Sequence, residues 1–123
     1  MAQLTEHEVF APFIGKSLNE KYTELPWHDL AGTHILHSSE WMYNADHREQ
    51  FGLTDKLYAD WLSKGIKLDL ILSVDDGVVV GGFVEKFRES TIYGRSKLDT
   101  YEMTPTQQDL RIVGRILEYI TSV

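Results

Sequence analysis

Three histidines in a short span, His34-x-x-His37 and then His47, lie close to Asp29 and Asp46. Imidazole nitrogens and carboxylate oxygens hold zinc or iron when three or four of them converge on one point. Residues three apart on a β-strand project from opposite faces, so His34 and His37 share a metal only if their segment is helical. With Asp29 they could also act in acid–base chemistry, because imidazole titrates near neutral pH. His28-Asp29, His7-Glu8 and Asp46-His47 offer similar pairs, but sequence neighbours rarely aim at one substrate. No nucleophile elbow, phosphate-binding loop or dinucleotide fingerprint accompanies them. The sequence therefore assigns no metal site and no cofactor. It leaves His34, His37 and Asp29 as catalytic candidates against the plainer reading of structural or surface histidines.

A second group is cationic. Lys86, Arg88, Arg95 and Lys97 flank the turn-like segment 89–94, and a hairpin there would bring all four together. Arg111 and Arg115 lie four apart on the polar side of a helix. Together these six could hold a phosphate, a nucleotide or an acidic peptide; the alternative is a solvated face balancing nearby glutamates and aspartates. A third group suits a protein partner: Trp27, Trp41 and Tyr43 stand in the acidic half with Asp46 and Glu49, and Trp and Tyr are the usual anchors of interfaces. Asp75-Asp76 is explained as turn chemistry. Gly81-Gly82 inside a strand marks either a bulge or a close approach to the backbone.

The elements that must position these residues read as follows. Thr5 and Glu8 form a capping box, with Leu4 and Val9 at the staple positions. Pro12 interrupts the following stripe of Phe10, Ile14 and Leu18, so the pattern predicts a kink or a fresh helix from Pro12 to about Tyr22. Thr33–His37 reads as a short strand and Asn44–Gln50 as a polar loop. Thr54 caps a helix bearing Leu57, Tyr58, Trp61 and Leu62, which Gly65 ends. From Ile66 to Val74 apolar residues recur at every second position, Asp76-Gly77 supplies a type I′ turn, and a return strand runs from Val78 to about Phe87. Short strands follow near Thr91–Tyr93 and Leu98–Met103. Thr104, Pro105 and Gln107 open a final helix whose apolar stripe, Leu110, Val113, Leu117 and Ile120, is widened by Ile112, Ile116 and Tyr119 to about half the circumference. Such a helix is either deeply embedded or meets another subunit, so a homodimer through it is an expectation. The fold class is α+β: one domain with an antiparallel sheet packed by an N-terminal, a middle and a long C-terminal helix.

Composition sets the outer limits. The chain has 123 residues, of which 42% are hydrophobic, enough to build a core. It has no cysteine and a net charge of −7, with most of the acidic excess before residue 63. General nucleic-acid or anionic-membrane binding is disfavoured, and no run reaches the ~18–20 apolar residues of a membrane span. With no disulfide framework and no secretory signal, a cytoplasmic location is expected. The reading that fits these facts best is a non-enzymatic protein-binding module, such as a small acidic inhibitor, immunity protein or adaptor of bacterial or phage type. A small enzyme or ligand pocket between sheet and helices, and a binder of a small anion, are the alternatives.

Overall fold

The alternating run becomes the central strand of a five-stranded antiparallel meander. A computed structural model describes residues 4–91 and 98–122. Its strands are β1 (His28–Leu30), β2 (Thr33–His37), β3 (Ile66–Asp75), β4 (Val78–Thr91) and β5 (Leu98–Met103), in the spatial order β1-β2-β3-β4-β5. Among the described residues the α-helices are α1 (Glu6–Phe10), α2 (Ser38–Trp41), α3 (Ala45–Phe51), α4 (Asp55–Lys64) and α5 (Gln107–Ile120). The fold is α+β, as the periodicities imply.

Register explains which face is buried. Leu36 pairs with Leu70 and Leu70 with Val84, while Leu68 and Leu72 share that pleat. These side chains join Phe10, Trp41, Phe51, Trp61 and the stripe of α5 in one core cluster. The opposite parity carries the rows His28–Ile35–Ile71–Phe83 and His37–Asp69–Glu85, and its apolar members take no part in that cluster. The helices thus cover one face of the sheet and leave the other open. Leu110, Ile112, Val113, Ile116, Leu117 and Ile120 are all buried within the chain, so α5 is deeply embedded.

Both tight turns use left-handed backbone. Asp76 and Gly77 have φ of 51° and 74°, as a type I′ turn requires, and Ala31 and Gly32 repeat the pattern at 53° and 89° between β1 and β2. Val80 is the extra residue of a bulge, since Ser73 pairs with Gly81 but Val74 with Val79. Next to it, a Cβ on Gly82 would stand 2.5 Å from Phe10 Cε1, so the close approach there is by the chain's own α1.

Several expectations are corrected. No helix runs from Pro12 to Tyr22. A 3-10 turn (Ala11–Phe13) and Gly15, at φ 89°, break it, and the extended residues that follow pair with the start of β4 through Gly15 N to Val79 O and Leu18 N to Gly77 O. Asn44–Gln50 is not a loop but the body of α3. Asn44 Oδ1 accepts from Asp46 N and His47 N, Gly52 closes the helix at φ 79°, and Phe51 anchors it in the core. The last helix starts two residues later than expected. Thr106 is its cap and Asp109 the capping-box partner, while Gln107 instead bonds both backbone groups of Leu4. Strand β4 extends through Thr91 as one element, and the segment 92–97 lies outside the described residues.

Asp109 has a second partner. Its Oδ2 accepts from Thr106 N at 2.8 Å and from Lys86 Nζ at 2.7 Å, with Lys86 only 6% and Asp109 1% exposed. Removing the carboxylate leaves a buried ammonium uncompensated. Asp109→Ala is expected to cost about 3–5 kcal/mol in urea denaturation, whereas a loss below about 1 kcal/mol would show that water reaches the lysine. Ala31→Asn should stabilise the protein by roughly 0.5–1 kcal/mol, because Asn tolerates positive φ better than Ala; an unchanged melting temperature would contradict this.

Candidate functional site

The pleat separates the candidate histidines, as their spacing on a strand requires. His34 lies on the helix-covered side and His37 on the open side. Around His34 the structure assembles Asp29 and Tyr22. The tyrosine hydroxyl bonds His34 Nδ1, and His34 Nε2 stands 3.7 Å from Asp29 Oδ1. The line Asp29–His34–Tyr22 has the order of a base-activated nucleophile, but its electrostatics run the other way. Burial first, and then the charge of Asp29, push the Tyr22 hydroxyl above its ordinary value, which makes it a poorer source of phenolate. Tyr22 also stacks on Trp27 with ring centroids 5.1 Å apart. This is a packed lock joining β2 to the 3-10 turn Glu20–Glu24.

On the open face the grouping is different. The two-residue Ala31-Gly32 hairpin sets His28 opposite Ile35, hence diagonally beside His37 on the same face, with ring centroids 5.2 Å apart. Three residues beyond His37, the chain turns into α2 and presents Glu40. His28 Nε2 bonds Glu40 Oε1 at 2.6 Å, and His37 Nδ1 bonds Asp69 Oδ1 at 2.9 Å. The Asp69 side chain is only 9% exposed, whereas His28 and Glu40 are open to solvent. His28, His37 and Glu40 each offer a ligand atom within 4.8 Å of the others. His37, Glu40 and Asp69 also line a depression of about 320 Å³ with Lys67, Phe87 and Glu89.

Sequence reasoning paired His37 with His34 and His28 with Asp29, and missed both Glu40 and the grouping of His28 with His37. The signal was there in Ala31-Gly32, a two-residue connection between two short extended runs, but an alanine at the first turn position hides it.

Among the described residues the cationic group does not form one site. Lys86 is buried against Asp109 and unavailable to a ligand. Arg88 donates through Nε to Lys64 O at the end of α4. Arg95 and Lys97 lie outside the described residues. Arg111 and Arg115 line a separate shallow depression of about 870 Å³ with Lys21, Glu118 and Tyr119. Of the partner-binding candidates, Trp41 is 2% exposed and packs edge-on to Phe51 in the core, so it is no interface residue. Trp27 is half-buried in the lock with Tyr22, while Tyr43, Asp46 and Glu49 are exposed. No family model, curated protein or solved structure matches this chain.

Tyr119 shares the upward shift of Tyr22, chiefly because its hydroxyl donates to Glu24 Oε1 at 2.7 Å. Both hydroxyls hold their protons more tightly in the folded chain than at the ordinary value of about 10. The unfolded chain therefore ionises first, and these tyrosines contribute stability that is complete below pH ~10 and lost as pH rises through the folded values. Melting temperatures stepped from pH 9 upward should fall less steeply for the Tyr22→Phe/Tyr119→Phe double variant than for the wild type. Parallel curves would count against the shifts.

Proposed function

We propose that the protein is a non-enzymatic binding module that docks another protein on the open face of its sheet. One observation carries this reading: the uncovered face is apolar at its centre. Ile35, Ile71 and Phe83 form a cross-strand row there, Leu30 adjoins it from β1, Phe87 lies on the same face beyond the Asp69–Glu85 row, and Leu30 and Phe83 are 61% and 48% exposed. An antiparallel sheet that keeps one face in water ordinarily alternates polar residues onto that face. A contiguous apolar patch with a polar rim is the composition of an interface core.

Charge selects the occupant. On the same face Asp69, Glu85, Glu89 and Glu102 lie to one side of the row, where Lys67 is their lone lysine or arginine among the described residues, and the whole chain carries −7. The matching partner is a protein that presents an apolar patch flanked by lysine and arginine. Acid–basic complementarity of this kind raises the association rate and suppresses wrong partners more than it adds affinity. The inhibitor and adaptor classes fit this chemistry, because they work by covering a surface rather than by turnover.

The experiment is photo-crosslinking with p-benzoylphenylalanine in place of Phe83, and in a control chain in place of Lys56 on α4. The expected product is one basic protein, caught from position 83 and not from 56. Binding of that protein should weaken at least tenfold with Phe83→Asp, and again with rising salt. Equal crosslinking from both positions, or full binding by Phe83→Asp, would overturn the reading.

A further inference from the structure

We infer that His28, His37 and Glu40 form a site for a divalent transition-metal ion of the zinc type, with Asp69 as the group that orients His37. Asp69 is the key to the chemistry. It is nearly buried on β3, and its Oδ1 lies 2.9 Å from His37 Nδ1, so an ionised Asp69 requires the hydrogen on Nδ1. The neutral ring then carries its free lone pair on Nε2. A buried carboxylate behind a histidine is the arrangement that fixes tautomer and ring direction in histidine–metal sites and raises the basicity of the ligating nitrogen.

The other two ligands are already in contact. His28 Nε2 donates to Glu40 Oε1 at 2.6 Å, and a metal ion takes the place of the proton between them, which is released to buffer. At metal–ligand distances of about 2.0–2.2 Å, donors of a tetrahedral site stand roughly 3.3 Å apart, so His28 and Glu40 complete the site by turning toward His37 from within 4.8 Å. His28 and Glu40 are solvent-exposed and free to turn, and His37 is held in place. The donor set is two nitrogens and one oxygen with no thiolate. That composition suits zinc, cobalt or nickel, and disfavours calcium and magnesium, which take oxygen ligands, as well as copper(I). Three protein ligands leave a fourth position for water or for a donor from a docked molecule. Because the site adjoins the open face but needs no partner, it stands independently of the docking function.

The test uses the purified full chain, stripped with a chelator and titrated with Zn²⁺ by calorimetry in a non-coordinating buffer. Co²⁺ is then added to a second sample to read the visible absorption of a tetrahedral N/O site. One ion per chain is expected. His28→Ala, His37→Ala and Glu40→Gln should each weaken binding at least tenfold, and His7→Ala should not. Asp69→Asn should weaken it about 10–100-fold although it removes no ligand. If the buried Asp69→Asn variant fails to fold, the exposed His28→Ala/Glu40→Gln pair still decides the matter, with circular dichroism as the fold control. Absence of saturable binding up to millimolar Zn²⁺, or unchanged binding by that double variant, would overturn the inference.

Discussion

A lysine ammonium and an aspartate carboxylate, 2.7 Å apart and shut away from water, join the middle of β4 to the first turn of α5. Either charge alone would cost several kcal/mol at that depth, so Lys86 is tolerable only where α5 delivers Asp109 to it. Asp109 in turn caps its own helix through Thr106 N, which ties the place where the helix begins to a fixed point on the sheet. An apolar stripe as wide as that of α5 would bury nearly as much surface if the helix slid by one turn. The charge pair would not survive such a slide. The pair therefore adds little net stability over a hydrophobic isostere, and its effect is to distinguish one packing from its neighbours.

Fixing α5 fixes the division of the sheet into a covered and an open face. The helix layer spends its apolar residues inward, including Trp41, Phe51 and Trp61. The residues of the other pleat must satisfy themselves within the sheet or remain available. Ile71 is buried there by its cross-strand neighbours Ile35 and Phe83, and Asp69 by the ring of His37 and the row around it. The open face is thus an organised surface in its own right, with an apolar centre and a histidine–carboxylate cluster at its β1 end.

What the sequence made legible follows from how each element is stabilised. The β3–β4 hairpin, α4 and α5 announce themselves because their signals are local: alternation, Asp76-Gly77, Thr54 and Gly65 caps, a stripe of branched residues. The region 27–51 resisted because its elements are held by contacts distant in sequence. All three residues of β1 are exposed, so no burial pattern marks it, and it exists through pairing with β2. Helix α3 buries only Phe51 and reads as polar throughout. Trp41 looked like an interface residue because nothing nearby in sequence shows that the α2 turn aims it inward. The candidate site shares this limit. His37 was visible as a candidate, but its partners come from β1, α2 and β3, and only the pairing of β1 with β2 brings His28 to it.

His34 and His37 show how far a strand's period governs chemistry. They are the same residue type on one short strand, yet one is locked between Tyr22 and Asp29 on the covered side, and the other stands before Asp69 at the open surface. A slip of β2 by one residue would exchange their fates. It would also turn Leu36, fully buried against Leu70, out to the open face and bring Thr33, Ile35 and His37 to the covered one, where none of them matches the space Leu36 fills. Losing a buried leucine costs about 2–5 kcal/mol, a large share of the stability of a domain this size. The packing of Leu36 on the covered face is therefore what holds His37 and its carboxylate neighbours on the other one, and the composition of the open surface is enforced from the side of the sheet that no ligand touches.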